Sequence, residues 1–533
     1  MTSHQWDEGR IPFSVRVGIT GHRDLADPGP AEADVNDCLR AIRDAFAAPA
    51  TEVTFTVLSA LAEGADRLVV HRAFDVFGDA AALHAVLPLG PEDYRTDFAS
   101  SDSEREFDAL LEKAADHHEI QGTDDRDEAY ERAGRYIVDQ SDVLIALWNG
   151  DHGGGRGGTG QVVEYAEEHH VPLLVIPTAR LSERDRGAGP RPKSLRRQLE
   201  RIAHGPPFAR VAQLNEGSIR DPPLAPMVED EWKRLAQAAQ GSSLAWHEEA
   251  AWFVPRLVRA DALAVRYQKW YQRLDGTMYA LAALAVAVVA AQSQAGWSSK
   301  VLLAEVGCML ALVGIYAIAR KLRLHERWIG YRSLAENLRS ALFITLASAA
   351  AEGARLMRVV DQPWFQRAFS EGWSHRPAWL SLTDDRDLRQ FLIHAWAEDQ
   401  ACYHRRTVER FARQRLVLTV TVFAVFGVTL VAGLLHAFHA VSGESAEKML
   451  VVLAIVLPAV GAALTGVRDQ RQYRLHEARS TRAADRLERL AQAQRQVESG
   501  TAPRLAEQIQ TVIRADALDW SEVIELQDID LVT

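Results

Sequence analysis

Cysteine is almost absent from this 533-residue chain: Cys38, Cys308 and Cys402 stand far apart and none belongs to a CxxC pair. That spacing excludes a disulfide framework and gives no support to a zinc or redox site, and it suits a reducing compartment. The opening residues, MTSHQWDEGR, are polar and mixed in charge. They hold no apolar core of a cleavable secretory signal, so the N-terminal part is expected to stay in the cytoplasm. The first 180 residues also lack any cluster of basic side chains, carrying 15 Lys and Arg against 34 Asp and Glu, a net of −19. Nucleic acid is therefore not an expected partner, because binding a phosphate backbone needs clustered cations that displace its counterions. Two phosphate-binding signatures are missing as well: no Gly-Lys-Ser/Thr closes a glycine loop, and no GxGxxG follows the first strand-like run.

What the chain does have is a strong division. At about 150 residues per domain the length allows three to four units. Beyond residue 180 the balance reverses to 45 basic and 38 acidic residues, and every long apolar run lies there. An acidic soluble part is thus joined to a basic membrane part.

Four segments approach the roughly 20 apolar residues that a bilayer span needs. Leu416–Leu435 and Met449–Val467 carry no charge. Met278–Ala291 reaches spanning length only with the residues up to Trp297, and Val301–Ala319 holds one charge, Glu305. An ionisable residue inside a span is a functional candidate by default, although Glu305 lies near the end of its segment, within reach of the interface. Basic residues flank the outer ends of both pairs: Lys269 and Arg273, Arg320, Lys321 and Arg323, Arg405 to Arg415, and Arg468, Arg471 and Arg474. Because Lys and Arg are retained on the cytoplasmic side of short loops, both termini and the central segment are expected to face the cytoplasm of a multi-pass protein of the inner (plasma) membrane. The tetrapeptide Arg-Leu-His-Glu occurs after the second span at Arg323 and again after the fourth at Arg474. With the matching basic flanks it suggests a duplicated helix–hairpin–helix unit.

The acidic part alternates strand-like and helix-like runs, the pattern of a parallel sheet covered on both faces. The expected strands are Ser14–Thr20, Glu52–Leu58, Ala82–Leu89, Ser141–Trp148 and Pro172–Pro177. The pairs His117-His118 and His169-His170 fall in polar, helix-like stretches and are expected on the surface. Ligands of such sheets bind beyond the carboxyl ends of the strands. Three loops lie there: Thr20-Gly21-His22-Arg23; Glu63-Gly64-Ala65-Asp66-Arg67, in which Asp66 could cap the next helix or bind a ribose hydroxyl; and a glycine-rich run from Asn149-Gly150 to Gly157-Gly158-Thr159-Gly160 that opens a helix over Gln161–Glu168. A glycine loop at a helix start presents free N–H groups and the positive end of the helix dipole, which suit phosphate.

Three of these stretches, GITGHRDL from Gly18, LAEGADRLV from Leu61, and SDVLIALWNG from Ser141 followed by GGTGQVVEYA, resemble the SLOG domain. That superfamily has a Rossmann-like fold and includes Lonely-guy nucleotide hydrolases and DNA-processing proteins. Its enzymatic branch keeps PGGxGTxxE, but here Val162 stands three residues after Thr159, and Glu164 five after, with Glu63 as a possible substitute. No catalytic residue is assigned. The membrane part resembles a SLATT two-span effector unit, through the hairpin Met278–Ala319 and the stretch that follows it, in which Trp328, Arg332, Ala335 and Arg339 share a helical face and Glu336 lies between them.

The resemblance divides the chain into a SLOG-like domain (11–180), a connector (181–242), a first hairpin unit (243–345), a cytoplasmic segment (346–400), a second hairpin unit (401–500) and a tail (501–533). It implies a sensor of a nucleotide second messenger, a cyclic nucleotide or ADP-ribose-type ligand, coupled to a pore-forming or membrane-disrupting effector of bacterial anti-phage defence. Such a protein would act as a homo-oligomer in the bilayer, beside a nucleotide-synthesising partner enzyme. The alternative is a membrane-tethered hydrolase of Lonely-guy type.

Overall fold

The computed structural model describes residues 9–25, 28–123, 125–151, 155–178, 192–205, 207–217, 223–240, 246–295, 299–347, 363–376, 385–496 and 501–525. They fall into two compact units: Arg10–Glu216 with Ser370–His375, and the remainder of the chain.

The N-terminal unit is an α/β fold built on six parallel strands: β1 (Phe13–Gly21), β2 (Val53–Ser59), β3 (Ala81–Leu87), β4 (Asp116–Glu119), β5 (Val143–Trp148) and β6 (Leu173–Pro177). Their order is β4-β3-β2-β1-β5-β6, so the chain runs outward from β1 in one direction and then resumes on its other side at β5. Helices α1 (Pro28–Ala45), α2 (Ala65–Phe77), α3 (Pro91–Arg95), α4 (Ser101–Lys113), α5 (Arg126–Gln140) and α6 (Thr159–Glu168) connect the strands, and α7 (Pro192–His204) and α8 (Phe208–Glu216) follow. A parallel sheet covered on both faces has apolar strands throughout. In β5 the residues Val143 to Leu147 are all fully buried. Leu58, Val86, Ile137, Val138 and Val162 pack into a core cluster on one side of the sheet.

Two expectations need correction. His117 and His118 are not helical: they lie in β4, which pairs with β3 through His84↔Asp116 to Leu87↔Glu119. Backbone pairing does not require apolar side chains, and a short polar edge strand protects the sheet from pairing with another chain. Likewise β3 stops at Leu87 rather than Leu89, since Pro88 has no N–H to give the ladder. The segment 179–191, at the start of the expected connector (181–242), lies outside the described residues.

The second unit is helical: α9 (Leu224–Ala238), α10 (His247–Ala295), α11 (Leu302–Lys321), α12 (Leu324–Leu346), α13 (Pro363–Ser374, of which the residues from Ser370 count with the N-terminal unit), α14 (Asp385–Leu392), α15 (Asp399–Ala437), α16 (Glu444–Gln470), α17 (Tyr473–Arg495) and α18 (Ala502–Glu525), with a π-helical turn at Ile393–Glu398 leading into α15. Four helical stretches are long and apolar enough to cross a membrane, and they hold Met278–Ala291, all but the first two residues of Val301–Ala319, Leu416–Leu435 and Met449–Val467. Their outward faces are apolar, with Leu303, Leu310, Leu416, Phe423 and Leu430 among the exposed side chains, a surface suited to lipid. Helix α10 runs 49 residues without a break, about 73 Å, so its apolar end is continuous with a polar extension. Glu305 sits in the first turn of α11, where the helix dipole favours a carboxylate.

The duplicated unit is visible in the backbone. Long helix, hairpin and returning helix occur as α10–α11–α12 and again as α15–α16–α17. Each returning helix is set off by one left-handed residue, Arg323 (φ 47°) and Gln472 (φ 41°). The histidine of each shared tetrapeptide then meets an aromatic ring of the preceding long helix, His325 with Tyr271 at 5.1 Å and His476 with Phe411 at 5.2 Å.

Candidate functional site

Because β1 has β2 on one side and β5 on the other, the connections leaving β1 and β5 diverge and open a crevice above their carboxyl ends. The lip on the β1 side is Gly21-His22-Arg23. His22 N–H donates to Leu147 O at 3.2 Å, and Ala65 N–H at the start of α2 donates to His22 O at 3.1 Å, so this loop is held between β5 and α2. The lip on the β5 side is Asn149-Gly150. The His22 Nε2 lies 2.9 Å from Asn149 Oδ1 and joins the two lips.

Gly64 makes the approach of the second loop possible. Its φ is +77°, and a Cβ there would lie 2.2 Å from the Arg23 carbonyl oxygen. Glu63 beside it is half-buried; its Oε1 accepts from Ala99 N–H at 3.0 Å and from Ser103 Oγ at 2.5 Å. Partial burial works against the charge of Glu63, but these bonds, with Arg67 and Arg23 nearby, hold its carboxyl below the usual carboxylate range. It is an ionised acceptor.

Arg23 reaches toward α5, where its guanidinium lies 5.2 Å from the centre of the Tyr130 ring. Tyr130 Oη in turn donates to Asp97, in the loop after α3. Burial opposes the Arg23 charge, yet the bond to Tyr130 and the field of Asp97 raise its pKa further. For Tyr130, burial and Asp97 push the phenol up to about 12. The same Tyr130 supports the glycine loop: Gly157 has φ +80°, and a Cβ on it would lie 2.8 Å from Tyr130 Cβ. Arg156 anchors this loop to Glu131 at 2.6 Å and Asp125 at 3.2 Å. Helix α6 then begins with Gly158 as its N-cap and no side-chain cap. Among the described residues no backbone acceptor takes the N–H of Thr159 or Gly160.

The structure thus gathers Gly21, His22, Arg23, Glu63, Gly64, Asn149 and Gly150 around the crevice, with Gly157, Gly158, Thr159 and Gly160 connected to it through Tyr130. Thr20 lies in β1, paired with Ala146, and Gly18 is deeper in the same strand beside Leu144. Asp66 and Arg67 face inward, both under 5 % exposed. Asp66 does not cap α2, whose N-cap is Gly64. It accepts from Ser59 Oγ at 2.9 Å and from the N–H groups of Ala60 and Ala62, while burial pushes its carboxyl up to about 6. Arg67 lies under the Phe98 ring and donates to Leu61 O, Ser103 O, Ser103 Oγ and Glu106. Both residues shape the loops without presenting a group to the crevice. Glu164 lies on the α6 side of the glycine loop, in a shallow cavity of about 210 Å³ that Gly157 lines together with Glu131, Arg135 and Tyr165. Residues 152–154 of the glycine run lie outside the described residues.

Sequence reasoning missed Tyr130, Asp97, Phe98 and Ser103. The position of the loop after β3, also at a strand's carboxyl end, is the signal that could have found the last three. Nothing local marks Tyr130.

In the helical unit, Trp328 is buried 5.9 Å from Tyr271, and Arg332 bonds Asp261 at 2.8 Å and Tyr403 Oη at 3.0 Å. Glu336 completes the cluster between Arg332 (2.5 Å) and Arg339 (2.7 Å). These groups hold α12 to α10 and α15.

No protein-family model and no curated protein matches the chain.

Proposed function

We propose that the chain is a nucleotide sensor of the SLOG kind, whose N-terminal unit binds a phosphate-bearing second messenger and whose helical unit acts on the membrane in response. The single observation that carries this reading is the crevice at the β1/β5 switch point, with an uncapped helix start, an exposed arginine and an ionised acceptor collected around it. The phosphate belongs at the Thr159–Gly160 start of α6 and at Arg23, since the free N–H groups of Thr159 and Gly160 and a guanidinium complement an anion, whereas the Gly157 and Gly158 N–H groups are taken by Gln161 Oε1 and Gly155 O. Glu63 is the acceptor for a ribose hydroxyl. Ligand can drive the membrane part only by binding one of two conformations more tightly. In the setting that the motif resemblance suggests, an oligomer of such chains would open or disrupt the inner membrane during phage infection.

The test uses the purified full chain in detergent with a panel of cyclic dinucleotides, ADP-ribose derivatives and mononucleotides. Thermal unfolding and chromatography of each nucleotide are followed together. Stabilisation by one nucleotide that stays intact, abolished by Gly158→Glu, is the expected result, followed by ligand-dependent dye release from proteoliposomes. Unchanged affinity in Gly158→Glu would move the site, and steady consumption of the nucleotide would replace the sensor by a tethered hydrolase.

A further inference from the structure

A second cavity, of about 360 Å³, lies wholly within the helical unit. It falls in the roughly 300–1,000 Å³ range of small-ligand sites. Helices α10, α12, α15 and α17 line it, together with the end of α16. Its level along the helices is set by the sequence: Gln272 and Asp275 precede the apolar run that starts at Met278, Gln414 precedes the run from Leu416, and Gln470 and Arg471 follow the run that ends at Val467. The cavity therefore lies at the boundary between the spans and their polar extensions.

Its charge is unbalanced. Lys269, Arg332, Arg410, Arg471 and Arg479 line it, against Asp261 and Asp275. Arg332 is committed to Asp261 at 2.8 Å, and Arg479 to Asp516 at 3.2 Å. Among the described residues neither Lys269 nor Arg410 pairs with a carboxylate; Arg471 is held at the cavity by long bonds to Tyr473 Oη (3.3 Å) and Gln272 O (3.4 Å), and its Nε is buried without a hydrogen-bond partner. The start of α17 at Tyr473 also opens onto the cavity, with no side-chain cap on its N-terminus. Tyr271, Trp328, Tyr403 and Tyr473 supply aromatic walls of the kind found at headgroup depth.

We propose that this cavity binds a phosphate ester, and that its natural occupant is the headgroup of an anionic phospholipid, held by Lys269, Arg410 and Arg471. Basic pockets between helices at the membrane surface have this chemistry, while the spans alongside provide apolar surface for the acyl chains. The site is separate from the nucleotide crevice and does not rest on that reading.

The experiment uses the full chain in a neutral detergent, titrated with dihexanoyl phosphatidylglycerol, dihexanoyl phosphatidylcholine and inorganic phosphate. Affinity is read from the unfolding midpoint of the helical unit. The expected result is at least tenfold tighter binding of the phosphatidylglycerol than of the phosphatidylcholine, with a loss of about 10- to 30-fold in the double variant Lys269→Gln/Arg410→Gln. Both side chains are exposed, so the variant folds. Arg320→Gln/Lys321→Gln removes the same charge from the foot of α11, outside the cavity, and should leave binding unchanged. Equal loss in both double variants, or none in the first, overturns the site. Inorganic phosphate binding as tightly as the lipid assigns the cavity to a soluble phosphate and overturns the lipid as its occupant.

Discussion

Asn149 and His22 meet across the mouth of the crevice: the Asn149 N–H donates to His22 Nε2 at 3.2 Å, the Asn149 Oδ1 lies 2.9 Å from the same nitrogen, and that Oδ1 accepts from Asp151 N–H at 3.0 Å. Two residues 127 apart in sequence thereby define one edge of the proposed ligand site, and their separation shows why a motif search finds each lip without showing that they meet.

Asn149→Ala removes that acceptor at an exposed position, so global stability should fall by less than about 1 kcal/mol. Ligand affinity should fall about three- to tenfold, because the lips are no longer held in register. Denaturant unfolding and ligand titration of the same sample separate the two effects.

Arg23 and Arg67 should behave in opposite ways. Arg67 is 3 % exposed, and its loss leaves the carbonyls of Leu61 and Ser103 without their donor, while Glu106 keeps His71, at a cost of roughly 3 kcal/mol. Arg23 is exposed, and Arg23→Ala should change stability by less than about 0.5 kcal/mol while abolishing most ligand binding. If Arg67→Ala binds weakly but melts like the parent protein, Arg67 is a ligand residue after all.

Asp66 makes the N-terminal unit sensitive to mild acid in an unusual direction. Its folded carboxyl titrates at about 6, above the ordinary value of 3.8, because burial favours the protonated form. Stability from this group is full below about pH 4 and is lost as pH rises through about 6, a change on the order of 3 kcal/mol. Hydrogen exchange of the β1 and β2 amides, corrected for intrinsic rates, should show falling protection from pH 4 to 6, and Asp66→Asn should flatten that slope.

Gly64→Ala combines a left-handed backbone with a Cβ 2.2 Å from the Arg23 carbonyl. It should destabilise the unit by more than about 2 kcal/mol and displace the β1 loop, which a loss of protection at Ala65 N–H would report.

In the helical unit, Glu336→Gln leaves Arg332 and Arg339 sharing Asp261 and the distant Glu231 for charge. The variant should melt earlier by the equivalent of about 3 kcal/mol in detergent. Little change would mean that the cluster is hydrated and contributes little.

Much of the architecture was legible in the chain. The five apolar strands and the four spans follow from local hydropathy, which any stretch carries with it wherever it lies. Strand β4 was not, because its Asp-His-His-Glu side chains give no period and its pairing uses only the backbone. In the crevice, the glycines at 64 and 157 were legible as places where backbone comes close, but their partners, the Arg23 carbonyl and Tyr130, were not. Asp66 and Arg67 stood in a motif beside Glu63 and yet turn into the protein, since helix α2 carries successive residues to different faces.

By itself, the sequence determined five of the six strands, which segments can enter a bilayer, and that the second hairpin repeats the first. All three depend on composition over a few consecutive turns or residues. Only the tertiary structure decided which charges are spent and which remain open. Arg332 and Arg479 are neutralised by carboxylates on other helices, Arg67 is folded under Phe98, and Arg23, Lys269 and Arg410 stay exposed. A charge's availability is set by what the fold brings within about 4 Å of it, and that distance has no counterpart along the chain.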